Sequence, residues 1–344
     1  MIRIVNWLLT RKCNLKCEYC AIVKNYESKP PEYPDMKYYH FNEMKTENII
    51  EGLRKFKIHN PDMFHIFYGG EPMLRKDLPD IINYCNNEDI HYTIISNNTP
   101  EVQPMIMNLI EKTGKVEGFT ASIDPVFNES SSDDRVLKSI NGLKNLIFLK
   151  NVVNDVVAEI TVMNNNVDHL YDLVQQLSES GINSDITFVD IAKNPYYDFS
   201  NITDRNTLVS KSIKLSEQFE RLSNPDLDIH MKEILLPEIW EILPSNMDCK
   251  INENLHNVSI DADGTVRLCL RIRGVNTPNK ININNLLNKR GEINNFAHTM
   301  IKLDKIDYCQ LCNHTCHIMS KVIDQQNLDS DDLIHLEKRV NYGG

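Results

Sequence analysis

Over residues 2–191, short β-branched or aromatic runs alternate with longer segments of helical period, and this alternation limits the fold more than any other feature. The runs are IRIVNWLL (2–9), FHIFYGG (64–70), HYTIISNN (91–98), EGFTASID (117–124), VVAEITVMN (156–164) and DITFVDI (185–191). Between them the spacing predicts helices near 42–57, 76–86, 101–113, 133–150 and 167–180. Strands that alternate with helices form a parallel sheet, because parallel neighbours need crossover connections and the helices cover its faces. Such a sheet can close partly into a barrel or stay open. With 344 residues, 41% of them hydrophobic, the chain can bury a large core.

The C-terminal ends of the predicted strands are polar or glycine-rich. They carry Gly69, Gly70 and Glu71, then Ser96, Asn97 and Asn98, then Ser122 and Asp124, then Asn164, and lastly Asp190. In α/β sheets and barrels the ligand sits at that end. Turn chemistry at strand exits favours the same residue types, so each position alone is bland.

Three cysteines, Cys13, Cys17 and Cys20, fall in RKCNLKCEYC (11–20), and five more, Cys249, Cys269, Cys309, Cys312 and Cys316, follow residue 248. Only Cys85 stands alone, as expected of a buried core thiol. No stretch is long and apolar enough to span a bilayer, and MIRIVNWLL lacks a signal-peptide cleavage site, so a cytoplasmic location is expected. Thiols stay reduced there and clustered cysteines read as metal ligands. A closed zinc site wants four ligands, and the Cys-x3-Cys-x2-Cys loop has three with no histidine before His40. Three thiolates would instead hold three irons of a cubane and leave the fourth open.

With its aromatic Tyr19, the Cys-x3-Cys-x-Tyr-Cys loop after the first strand resembles the signature of the radical S-adenosylmethionine (SAM) enzymes. GGEP (69–72) after the second strand looks like that family's GGE motif, which holds the methionyl amino group of SAM. SNN (96–98) is similar to its Thr/Ser-Asn-Gly, with Asn98 in place of glycine, and SID (122–124) resembles the Ser-x-Asp that ends the fourth strand. The resemblance covers residues 1–191 and implies a partial (β/α)6 TIM-like barrel. It implies a [4Fe–4S] cluster on Cys13, Cys17 and Cys20, with SAM at the open iron. Tyr19, Gly69, Gly70, Glu71, Ser96, Asn97, Ser122 and Asp124 then become cofactor-binding candidates, with Arg135 a candidate partner of the SAM carboxylate. The implied chemistry is reductive cleavage of SAM to a 5′-deoxyadenosyl radical that abstracts hydrogen from a substrate.

After residue 195 the alternation stops. NVSIDADGTVRLCL (257–270) reads as a hairpin turning at Asp263-Gly264 and carrying Cys269. Cys-x14-Gly-x4-Cys (249–269), followed by Cys-x2-Cys-x3-Cys (309–316), resembles the SPASM and twitch extensions of the same family, with five cysteines where a full SPASM domain has seven. The resemblance implies one auxiliary [4Fe–4S] cluster in a small α+β domain. Cys249, Cys269, Cys309 and Cys312 match the twitch order best, and the role of Cys316 stays open. A four-cysteine zinc ribbon is the alternative, and His314 and His317 flank the ligands rather than join them. The expected organisation is a radical SAM barrel (1–195), a helical connector (196–248), the auxiliary-cluster domain (249–325) and a tail or helix (326–344).

The net charge of −11 sets nucleic acid low among partners. The first strand begins at residue 2, leaving no leader-binding domain ahead of it in this sequence. The expected substrate is therefore a small molecule, such as a sugar or aminocyclitol, or a peptide delivered by a separate protein, with a flavodoxin- or ferredoxin-type reductant. Asp190, and behind it Glu159, are candidates for taking the proton that accompanies electron loss. Tyr196, Tyr197 and Phe199 are expected to line the substrate cavity or pack between domains, packing being the more ordinary role. The rival from another class is a non-catalytic iron–sulfur or zinc protein that carries electrons or docks a partner.

Overall fold

The computed structural model describes residues 2–15, 17, 43–123, 134–162, 166–188, 213–224, 226–227, 257–267 and 282–293. Six parallel strands carry the architecture: β1 (Ile4–Thr10), β2 (Phe64–Gly69), β3 (His91–Ser96), β4 (Gly118–Ile123), β5 (Asp155–Val162) and β6 (Asn183–Phe188). Between them run α1 (Thr46–His59), α2 (Leu78–Asn87), α3 (Gln103–Thr113), α4 (Asp134–Leu149) and α5 (Leu170–Glu179), and α6 (Ile213–Leu222) follows β6. The order β6-β5-β4-β3-β2-β1 is sequential, as the right-handed crossovers of a (β/α) barrel give. Local chemistry sets the helix ends: α2 and α3 have proline in their first turns, and α3 stops at Gly114, whose φ of 66° is the left-handed cap that glycine adopts freely.

The sheet does not end at β1. Strand β7 (Asn257–Ile260) pairs parallel with β1 in the register Ile4 to Asn257 and Trp7 to Ile260, and β8 (Val266–Arg267) returns antiparallel to β7. The hairpin expected at the head of the C-terminal unit thus hydrogen-bonds to the edge of the barrel sheet. All seven residues of β1 are buried, so an uncovered edge there would leave backbone groups unpaired in an apolar setting. A short helical turn, α7 (Ile283–Leu286), lies against α1, where the Lys55 ammonium donates to the Asn284 carbonyl at 3.1 Å.

Alternation sorts the two faces of the sheet. Trp7, Phe67, Ile94, Ala121, Ala158 and Ile186 are buried under the helices, and the Trp7 ring meets Phe56 of α1 edge-on at 5.8 Å. Trp7 Nε1 donates to His65 Nδ1 at 2.9 Å, and burial holds the His65 imidazole neutral, its pKa down at about 3. Cys85 is buried in this layer, where desolvation pushes its thiol up, as expected of an inert core cysteine. The opposite face, away from the helices, is mostly half-buried in β2–β6 and largely polar in β4–β6. There Thr93 and Thr120 share a hydrogen bond of 3.1 Å, and Ser122, Glu159 and Asp185 are register neighbours across β4, β5 and β6. Among the described residues, no helix is long and apolar enough to cross a membrane.

Candidate functional site

Where β1 ends, the chain leaves the sheet but stays clamped to β2. Pairing slips between Leu8 and Thr10, and the Gly70 and Glu71 amides donate to the Thr10 and Lys12 carbonyls at 2.8 and 2.7 Å. The approach is so close that a Cβ on Gly69 would sit 2.4 Å from the Thr10 oxygen, and one on Gly70 would sit 2.2 Å from that of Lys12. Both glycines are therefore demanded by the backbone contact that fixes the root of the cysteine loop. Gly69 and Gly70 remain partly exposed, whereas Glu71 is fully buried.

The Glu71 carboxylate staples β2 to β3. It accepts from Ser96 Oγ at 3.0 and 3.1 Å, from the Asn97 amide at 2.8 Å, and from the Met73 amide at 3.0 Å, capping the short 3-10 turn Pro72–Leu74. A buried carboxylate needs such donors, and Ser96, Asn97 and Met73 supply them here.

Asn97 carries this connection to the first cysteine. Its Nδ2 donates to Asn14 Oδ1 at 2.7 Å and lies 3.7 Å from Cys13 Sγ, its Oδ1 accepts from the Thr99 amide, and Asn14 Nδ2 donates to Thr99 Oγ1 at 2.9 Å. The Leu15 amide also points at Cys13 Sγ, at 3.4 Å. Two N–H donors thus aim at one sulfur, as suits a thiolate ligand. Cys13 and Cys17 are half-buried. Asn98, standing where the resemblance expects glycine, has the left-handed φ of 51° that glycine would supply. Its Nδ2 donates to the Gly142 carbonyl of α4 at 3.1 Å, and its buried Oδ1 has no partner among the described residues.

Several residues at this root escaped the reading of the sequence. Glu43, at the far end of the excursion that starts at Arg11, accepts from Thr10 Oγ1 at 2.6 Å and from the Arg11 amide at 3.3 Å. The buried Arg75 guanidinium donates to the Leu9 and Met44 carbonyls at 2.7 and 2.6 Å. Arg11 forms a buried ion pair with Asp261, at the end of β7. Only the charges of Arg11, Glu43, Arg75 and Asp261 signalled these contacts in the sequence.

Of the expected site residues, Cys13, Gly69, Gly70, Glu71, Ser96 and Asn97 are brought together at the exits of β1, β2 and β3. Ser122 stands half-buried near the end of β4, opposite Glu159 of β5. Arg135 lies in the first turn of α4, its side chain outside the described residues. Tyr19, Cys20, Asp124, Asn164, Asp190, Tyr196, Tyr197, Phe199, Cys249, Cys269, Cys309, Cys312, His314, Cys316 and His317 also lie outside them.

The model of the Radical SAM superfamily matches residues 7–189, more than half of the chain. The chain belongs to the Radical SAM superfamily. Among curated members, it is 27% identical over 218 residues to a probable GTP 3′,8-cyclase of Archaeoglobus fulgidus, covering 57% of this chain and 64% of that one. It is 26% identical over 231 residues to the radical SAM cyclopropyl synthase TigE of Paramaledivibacter caminithermalis, covering 63% of this chain and 46% of TigE. The matches thus span less than two thirds of these relatives' own lengths. Among solved structures, Streptococcus suis SuiB bound to S-adenosylmethionine superposes with a TM-score of 0.56 at 14% identity, covering 91% of this chain and 70% of SuiB. That likeness shows the shared fold.

The [4Fe–4S] cluster and SAM that the superfamily implies fit this site on its own chemistry. A half-buried thiol with two N–H donors suits an iron ligand, glycines 69 and 70 leave backbone accessible beside it, and the Asn98 oxygen offers a buried acceptor.

Proposed function

We propose that this protein is a radical SAM enzyme, holding a [4Fe–4S] cluster on Cys13, Cys17 and Cys20 and acting on a polar small molecule or a peptide. The observation that carries the reading is the convergence of the GGE and SNN segments on the root of the cysteine loop, with Asn97 Nδ2 3.7 Å from Cys13 Sγ. When bound, the cluster and SAM supply reductive S–C5′ cleavage and a hydrogen-abstracting 5′-deoxyadenosyl radical. The chain's own residues position, shield and move protons.

In this reading the exposed backbone of Gly69 and Gly70 receives the methionyl amino group. Tyr19 shields the cluster, while Ser96, Asn97, Ser122 and Asp124 line the rest of the SAM site, and Arg135 pairs with the SAM carboxylate. Glu71 acts at one remove, because its carboxylate accepts from Met73, Ser96 and Asn97. The polar inner face of β4–β6 supports a substrate rich in hydroxyl or amino groups, such as a sugar or aminocyclitol. A peptide is the other class, since SuiB has been crystallised with its precursor peptide SuiA. Asp190, or Glu159 on the inner face, takes the substrate proton.

The C-terminal unit, from 249 to 325, supplies an auxiliary [4Fe–4S] cluster for electron transfer, on four of Cys249, Cys269, Cys309, Cys312 and Cys316. A flavodoxin- or ferredoxin-type protein in the cytoplasm delivers the electron. Counting iron, acid-labile sulfide and zinc per chain after anaerobic reconstitution tests this: about eight irons and eight sulfides support two clusters. About four irons with one zinc make the C-terminal unit structural. Deuterium transfer from labelled candidates into 5′-deoxyadenosine then identifies the substrate.

A further inference from the structure

The excursion that carries the first three cysteines departs and returns beside one hairpin tip. It departs at Arg11, whose guanidinium pairs with the Asp261 carboxylate, and both side chains are at least nine-tenths buried. It returns at Glu43 and Met44: Glu43 grips Thr10 Oγ1 and the Arg11 amide, and the Met44 amide donates to the Ala262 carbonyl at 2.7 Å. The tip is held by its own hydrogen bonds. Asp261 Oδ1 accepts from the Ala262 amide at 2.8 Å, the Asp261 carbonyl accepts from Gly264, and Gly264 has a φ of 84°. The Gly264 carbonyl in turn accepts from the Ile283 amide at 2.9 Å, so the start of α7 also holds the tip.

Such a pair is a poor way to gain stability alone, since well-packed apolar residues of similar volume often do as well. A forked guanidinium held by a fixed carboxylate contributes geometry instead. With Gly70 and Glu71 bonded to Thr10 and Lys12 on the β2 side, the β1 exit is gripped from both sides two residues before Cys13. We propose that Asp261 is a positioning residue: acting through Arg11, the tip of the C-terminal hairpin sets how the cysteine loop is presented, and so couples the folding of the chain's C-terminal half to the SAM site. The inference rests on the cluster reading above for its consequence, but not for its geometry.

The test compares wild-type full-length chain with Asp261→Asn and with the double variant Arg11→Met/Asp261→Leu, which removes both charges and keeps a buried apolar pair. Amide hydrogen exchange is followed over residues 10–15 without cluster, and the electron paramagnetic resonance of the reduced, reconstituted protein is recorded before and after adding SAM. The expected result for the double variant is a wild-type melting temperature, exchange over 10–15 faster by about tenfold or more, and a weakened SAM-induced spectral change. Wild-type exchange and a wild-type spectrum in a folded double variant would overturn the proposal and leave the pair as packing. If Asp261→Asn does not fold, the double variant still decides. Exchange is read on the cluster-free chain, so it judges this inference separately from iron content and SAM cleavage by the wild type, which judge the proposed function.

Discussion

Asn97 Nδ2 donates to Asn14 Oδ1 at 2.7 Å and lies 3.7 Å from Cys13 Sγ, joining the exit of β3 to the first cysteine of the loop after β1. An N–H group facing a ligating sulfur stabilises the reduced, more negative cluster and raises its potential. Replacing Asn97 with Ala removes that donor and the Asn14 contact together. The expected outcome is a potential more negative by about 40 mV, the one-electron equivalent of one hydrogen bond of about 1 kcal/mol, read by redox titration of the reconstituted protein.

Gly70 tolerates no side chain. A Cβ there would lie 2.2 Å from the Lys12 carbonyl oxygen, which is backbone and cannot swing aside. Gly70→Ala is expected to pull β2 away from the root of the cysteine loop, lowering iron retained after reconstitution by at least half and slowing SAM cleavage by about a hundredfold. Iron analysis beside circular dichroism separates this local effect from loss of fold.

Gly52, in the middle of α1, makes the opposite case to helix propensity. Alanine should stabilise an exposed helix by about 1 kcal/mol over glycine. Here its Cβ would meet Ile283 Cδ1 at 2.4 Å and Trp7 Cη2 at 2.8 Å. Gly52→Ala is therefore expected to destabilise by about 1–3 kcal/mol in denaturant unfolding, because α1, β1 and α7 close around that missing side chain.

His65 gives a pH signature. Burial, ahead of repulsion from His91 and Lys57, lowers its pKa from 6.5 to about 3. Between these values the unfolded chain binds a proton that the folded chain does not, so its contribution to stability is whole above pH 6.5 and falls as pH drops. The slope is about 1.4 kcal/mol per pH unit at most. His65→Asn, which keeps an acceptor for Trp7, is expected to lose about 1 kcal/mol less than wild type between pH 7 and 5.5, measured by urea unfolding.

Much of this architecture was legible in the sequence because hydrophobic period is a local property. All six barrel strands and the five helices between them lie within a few residues of their expected positions, and the Asp263-Gly264 turn forms as read. The docking of the hairpin on β1 was not legible, since pairing of Ile4 with Asn257 is a contact between distant parts of the chain. A hint was present: IVNWLLT is apolar almost throughout, the pattern of a strand covered on both faces. At the site, Gly69, Gly70 and Glu71 stood out because GGEP, at the exit of the second strand, resembles the family's GGE motif. Asn14, Glu43, Thr99 and Asp261 did not, because Asn, Asp, Thr and Glu at loop ends serve turns equally well. Asn98 shows how physics permits a departure from the family pattern: asparagine tolerates the left-handed backbone that glycine otherwise supplies.

The most direct test of the central claim is the amount of 5′-deoxyadenosine released from SAM by the anaerobically reconstituted, dithionite-reduced chain, beside a Cys13→Ala variant. Release by the wild type that the variant lacks, with both proteins folded, is the predicted result. A wild-type chain that retains iron and accepts an electron, yet releases no more 5′-deoxyadenosine than Cys13→Ala, would contradict it and assign the protein to electron transfer.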